Sequence, residues 1–147
     1  MTTERFARIV GIVFLIVGIL GFVPALLSPA DTEHAGLSLR IGFGYLLGLF
    51  AVNVLHNVVH LGIGVWGLIA SRSRVDAVRF ARGLALFYGA LAIMGVIPGL
   101  DTTLGMIPLF GHDVWLHAGT ALVAAYVGYY WTDAVVDVDQ RESRRAA

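Results

Sequence analysis

With 58% hydrophobic residues, 14% charged residues and a mean hydropathy of +0.81, the 147-residue chain is far more apolar than a soluble domain, where roughly a quarter of residues are charged. Net charge is zero and no basic run stands out, which excludes the electrostatic footprint of a nucleic-acid binder. The absence of cysteine excludes disulfides, thiolate metal sites, thiol catalysis and iron–sulfur ligation, and leaves His, Asp and Asn as candidate ligands.

Such a composition reads as an integral membrane protein, and the chain supplies four apolar spans. The first covers about residues 9–27, follows Arg5 and Arg8, and meets the length of about 20 residues that a bilayer core requires. Its basic start and the small residues Ser28 and Ala30 also fit a signal peptide loosely; the length of the run and a near copy later in the chain favour a retained helix. A polar connection over 28–39, with Pro29, Asp31, Glu33 and His34, leads to the second span at about 41–70. Within that span the stretch GYLLGLFAVNVLHNVVHLGIGVW, residues 44–66, carries Asn53, His56, Asn57 and His60. Offsets of three, four and seven put these four on one helical face, continued by Gly64 and Gly67. Lipid offers that stripe no hydrogen-bond partner, so it must face protein.

The arginine-rich segment SRSRVDAVRFAR precedes the third span, about 83–97 and extending back to Val78, which the breaker pair Pro98-Gly99 ends. Residues 101–111, apolar but interrupted by Pro108, read as an interfacial turn or short helix. The fourth span occupies about 113–131, and a charged tail follows over 132–147. The expected fold class is all-α: an integral membrane four-helix bundle forming one domain over 1–147. Arginine placement orients it. With a cytoplasmic amino terminus, Arg5, Arg8, Arg72, Arg74, Arg79, Arg82, Arg141, Arg144 and Arg145 fall inside and only Arg40 outside, so both termini are expected in the cytoplasm and the chain is multi-pass in the cell membrane. The lipid bilayer is then the expected partner, with a homo-oligomer or another membrane protein as further candidates.

The chain also matches itself. Arg5-Phe6-Ala7-Arg8 recurs as Arg79-Phe80-Ala81-Arg82, and at the same offset Gly21 matches Gly95 and Pro24 matches Pro98. At a shorter offset Leu47-Gly48 matches Leu104-Gly105, His60 matches His117, Gly62 matches Gly119, and His56 stands where Asp113 does. Two units, about 5–70 and 79–131, are expected as tandem helical hairpins related by an approximate two-fold axis along the membrane normal.

The strings NVLHNVVHLGIGVWGL and IPLFGHDVWLHAGTALVA resemble the two characteristic regions of the small four-span membrane proteins grouped as domain-of-unknown-function family 4383. The resemblance runs from the first span to the fourth. It implies architecture and no mechanism, and carries over no functional residues.

His56 and His60 stand four apart, the spacing by which a helix presents two imidazoles to one ion, and Asp113 and His117 repeat it on the partner helix. One reading has Asn, His and Asp hydrogen-bonding across helices and fixing the register of the bundle, each bond worth about 1 kcal/mol. A second makes His56, His60, Asp113 and His117 a divalent-metal site. A third takes one His from each of spans two and four as axial haem ligands, with the glycines at 62, 64, 67 and 119 supplying room, or places a small lipophilic ligand there. His56, His60 and His117 are expected in one cluster, with Asn53 and Asn57 setting ring orientation. Asp113 reads most simply as a helix N-cap facing water, and His112 and His34 as surface residues. Gly44 with Gly48, and Ala85 with Gly89, fit close helix contacts; Met94 and Met106 fit packing. There is no GxSxG, phosphate loop or paired intramembrane carboxylate and so no complete catalytic constellation. The sequence alone therefore favours a structural or partner-binding membrane protein with an internal polar cluster, with a metal- or haem-binding protein, or an oxidoreductase component, as the alternative.

Overall fold

Three of the four α-helices among the described residues start at a residue whose side-chain oxygen satisfies a free backbone N–H of the first turn. In the computed structural model, which describes residues 2–29 and 36–131, α1 (Thr3–Leu20) starts after Thr2, whose hydroxyl accepts from the Arg5 N–H at 3.2 Å. Helix α2 (Val54–Ala70) starts after Asn53, whose Oδ1 accepts from the His56 N–H at 2.9 Å. Helix α3 (Arg74–Val96) starts after Ser73, which accepts from the Asp76 N–H at 3.1 Å and donates to the Asp76 carboxylate at 2.7 Å. Helix α4 (His112–Ala125) has no such cap; it follows Gly111 and continues into a π-helical turn, Tyr126–Trp131. His34 and the charged tail lie outside the described residues.

Alongside the helices stands a small antiparallel sheet that the all-α expectation did not include, and the second span is shortened by it. Strands β1 (Leu27–Ser28), β2 (Gly44–Leu46) and β3 (Phe50–Val52) pair in that order, with Leu27 opposite Leu46 and Gly44 opposite Val52. Residues 44–52 are therefore a hairpin, and Gly44 and Gly48 make no helix contact. Leu47 and Gly48 turn the chain with φ of 53° and 73°, a left-handed pair. Leu104 and Gly105 repeat it at 58° and 88°, in a second turn where Ile107 donates to Thr102 O at 3.0 Å and Leu109 to Asp101 O at 2.8 Å. Residues 101–111 thus form turns, with no helix before His112. A left-handed leucine costs about 1–2 kcal/mol, so both turns need support from what they touch. The neighbouring loop gives some of it: Ser38 and Leu39 donate to Gly105 O at 2.8 and 2.9 Å, and Phe50 bridges to Gly111.

Helix α1 packs chiefly on α2, and α3 on α4, with α3 also touching α1 and α2. The first pair meets backbone to backbone. A Cβ at Gly64 would stand 2.8 Å from the Leu15 N and 2.9 Å from the Gly11 O, and one at Gly67 would stand 2.9 Å from the Ala7 O. Small residues on one face are what permits that approach. The second pair includes the expected contact of Ala85 and Gly89, the former buried and the latter facing the Ala121 methyl. Phe6, Phe80, Leu84 and Tyr88 fill the centre between the pairs. Helix α3, at 23 residues, is the one described helix long and apolar enough to cross a membrane; α2 is apolar at 17 residues.

Candidate metal centre

Helical spacing brings His56 and His60 together at the start of α2, with ring centroids 4.4 Å apart. His117, on the second turn of α4, reaches them from the other side, 6.2 Å from the His56 ring. All three are buried, and one nitrogen from each lies within 4.8 Å of the others. A tetrahedral ion with bonds of about 2.0–2.1 Å needs ligand nitrogens roughly 3.4 Å apart, so the three rings must draw somewhat closer to hold one. Phe14 and Tyr88 stand edge-on to His60 and His117, at 5.2 and 5.0 Å, and wall the cluster from the core.

The hydrogen bonds fix one ring. His56 Nδ1 lies 3.1 Å from the Ala51 carbonyl oxygen, which can only accept, so the ring carries its proton on Nδ1 and its lone pair on Nε2. Nothing of the kind occupies the other two: Nδ1 of His60 and Nδ1 of His117 are buried with no partner. Two unpaired buried nitrogens cost about 1–3 kcal/mol each.

Asp113 departs from the expectation of a solvated cap. Its residue is 2% exposed, the Ala51 N–H donates to its carboxylate, and Oδ2 has no partner. Residue Ala51 therefore stands between Asp113 and His56, meeting the first with its N–H and the second with its C=O. Asp113 lies outside the group of converging ligand atoms and meets the cluster through the backbone of Ala51. By holding the Ala51 N–H, the carboxylate fixes the backbone of the residue whose own carbonyl orients the His56 ring.

The amides of Asn53 and Asn57 hydrogen-bond to backbone. Asn53 Nδ2 donates to Leu39 O at 2.9 Å and to Met106 O at 2.7 Å, fastening the loops before α2 and before α4 to the start of α2. Asn57 Nδ2 donates to Gly21 O at 2.7 Å and ties down the end of α1, where a Cβ on Gly21 would overlap its amide. Ring orientation comes instead from Ala51, which carries no polar side chain. His112 is exposed, as expected.

Beside the rings lies a cavity of about 180 Å³, lined also by Tyr88, Thr103 and Leu109. It is smaller than the roughly 300–1,000 Å³ of ordinary small-molecule sites, and a haem does not fit it. The glycines expected to make room do not make it at the rings: Gly64 and Gly67 are filled by α1, a Cβ at Gly62 would meet nothing, and Gly119 borders a separate apolar cavity of about 370 Å³ between α1 and α4. Tyr88 and Thr103 were not singled out by the sequence; Tyr88 sits in an apolar span, and only its polar tip could have drawn notice.

A family model described as a domain of unknown function, DUF4383, matches residues 4–130. The chain belongs to this family. Within this DUF4383 protein both parts of the cluster, and the loops that cover it, fall inside the matched residues. No curated protein and no solved structure matches the chain.

Asp113→Ala in this DUF4383 chain is expected to weaken metal binding by about 10–100-fold, the usual effect of losing a group that orients a ligand, and to lower stability through the orphaned Ala51 N–H. Asp113→Asn, which keeps an oxygen acceptor, is expected to recover most of the stability. Calorimetric titration with Zn²⁺ and thermal unfolding of both variants check this; equal affinity in the alanine variant would contradict it.

Proposed function

We propose that the chain is a multi-pass membrane protein that holds one transition-metal ion on His56, His60 and His117. The observation that carries this reading is the convergence of three buried imidazoles, one of them turned by Ala51 and two with unpaired nitrogens. Imidazole suits Zn²⁺ and the later first-row ions, and three such ligands with no thiolate are a known minimum for holding zinc.

The membrane part of the proposal has its own support. Large apolar side chains lie exposed on each helix, among them Ile9, Val65, Leu86, Ile93 and Leu122, as lipid-facing surfaces require. Helices α1 and α2 rise only about 25 Å each, so the π turn and the outer loops complete the span of the bundle. Arg5, Arg8, Arg72, Arg74, Arg79 and Arg82 gather at the end where α1 starts and α2 passes into α3, and this end is taken as cytoplasmic. The metal then sits near the outer face, beneath the two left-handed turns. Those turns, placed alike before α2 and α4, support duplication of a two-helix unit over about 5–70 and 79–131.

A register-fixing role without metal is favoured by one observation, that Asn53 and Asn57 bond to backbone and bind the loops together. The two readings separate on metal content. Protein purified in detergent, stripped with chelator and reloaded with Zn²⁺, is expected to retain about one equivalent per chain through gel filtration; retention of none would refute the metal reading.

A further inference from the structure

We infer that the metal centre keeps an open coordination position, filled by water or hydroxide that the Thr103 hydroxyl holds. The inference rests on the metal reading above and says what kind of site it is. Three protein ligands leave one corner of a tetrahedron free, which is the pattern of zinc sites that exchange a small ligand and not of closed structural ones. All three rings line the same cavity, and its volume of about 180 Å³ has room for a solvent molecule at that corner.

Most of the wall is apolar, with Val59, Phe87, Leu91 and Ile107 among the lining residues, so a molecule bound there has few partners to choose from. Thr103 supplies one. Its Oγ1 is buried and has no hydrogen-bond partner, although the residue lies in a turn where hydroxyls ordinarily bond to nearby backbone. Thr102, its neighbour, does that: its Oγ1 accepts from the Gly105 N–H at 3.2 Å. Thr103 also has a φ of 48°, which for a β-branched residue is a genuine outlier and the sort of backbone found where a site demands it. An unsatisfied hydroxyl, an unfavourable backbone and three convergent imidazoles on one small cavity are explained together by a ligand bridging metal and Thr103. The cavity restricts that ligand to a few atoms.

The test uses the full chain in detergent with Co²⁺ as a visible probe and azide as the exchanging anion. The wild-type protein is expected to bind one Co²⁺ with the intense bands of a tetrahedral ion and to show a saturable shift on addition of azide. Thr103→Val is expected to keep the cobalt stoichiometry and to bind azide at least tenfold more weakly, the effect of losing a hydrogen bond to a charged group. Thr103→Ser is expected to restore the wild-type affinity, and Thr103→Ala carries the prediction if the valine variant does not fold. Cobalt bound with a spectrum indifferent to azide would overturn the open position while leaving the metal reading intact. Equal azide affinity in the valine and wild-type proteins would overturn the role of Thr103. Failure to bind cobalt at all would overturn both readings together.

Discussion

Alanine at His60 or at His117 is expected to cut metal affinity by about 100-fold or more while leaving the helices in place. The size follows from sharing a zinc-binding free energy on the order of 10 kcal/mol among three ligands, about 3 kcal/mol each. Either ring is one of only three, so two imidazoles remain and the ion has no other donor within the group of converging atoms. The stability of the metal-free protein should fall by less than the burial of these two rings alone would suggest. Each removes a ring whose Nδ1 is buried without a partner, so the loss of packing is partly offset by the loss of an unpaired polar group. Equilibrium titration followed by metal analysis checks the affinity. Wild-type binding in either variant would show that the convergence has no bearing on metal.

Asn53→Ala is expected to cost about 3 kcal/mol of stability, since this one side chain makes three hydrogen bonds to backbone. One part, roughly 1 kcal/mol, is the lost cap on α2, where Oδ1 meets the His56 N–H. The rest comes from the Leu39 and Met106 carbonyls, each deprived of a donor at about 1 kcal/mol. Both loops that cover the histidines are held by this one amide, so loosening it should also broaden the site. Thermal unfolding in detergent, compared with Asn57→Ala, measures it. A variant that unfolds with wild type would show that water replaces the amide at no cost and that the loops are held by other means.

The sequence made some of this legible and concealed the rest for physical reasons. His56 and His60 had to meet, because any helix through them brings residues four apart together. His117 is expected beside them from its match to His60 and from the cost of leaving an imidazole on an apolar surface. The hairpin at 44–52 was hidden: GYLLGLFAV is apolar almost throughout, so it has neither the period of a strand nor that of a helix, and its length adds smoothly to the helix that follows. Leu47-Gly48 reads as half of a repeat and Gly48 as a helix contact, although a glycine in a left-handed turn is the local cue. Asp113 was misplaced because its partner, the Ala51 N–H, lies on a different element and belongs to a residue with no polar side chain. The same holds for the Ala51 carbonyl that turns His56. Backbone partners of this kind leave no trace in residue types, whereas side-chain pairs at helical spacing do.

The central claim, one ion on three imidazoles, is tested most directly by X-ray absorption at the zinc edge of the reloaded protein. The expected result is a four-coordinate first shell with three nitrogen scatterers at about 2.0–2.1 Å that carry the outer-shell pattern of imidazole, plus one light atom. A shell of oxygen ligands without imidazole scattering, or no zinc retained on the protein, would contradict it.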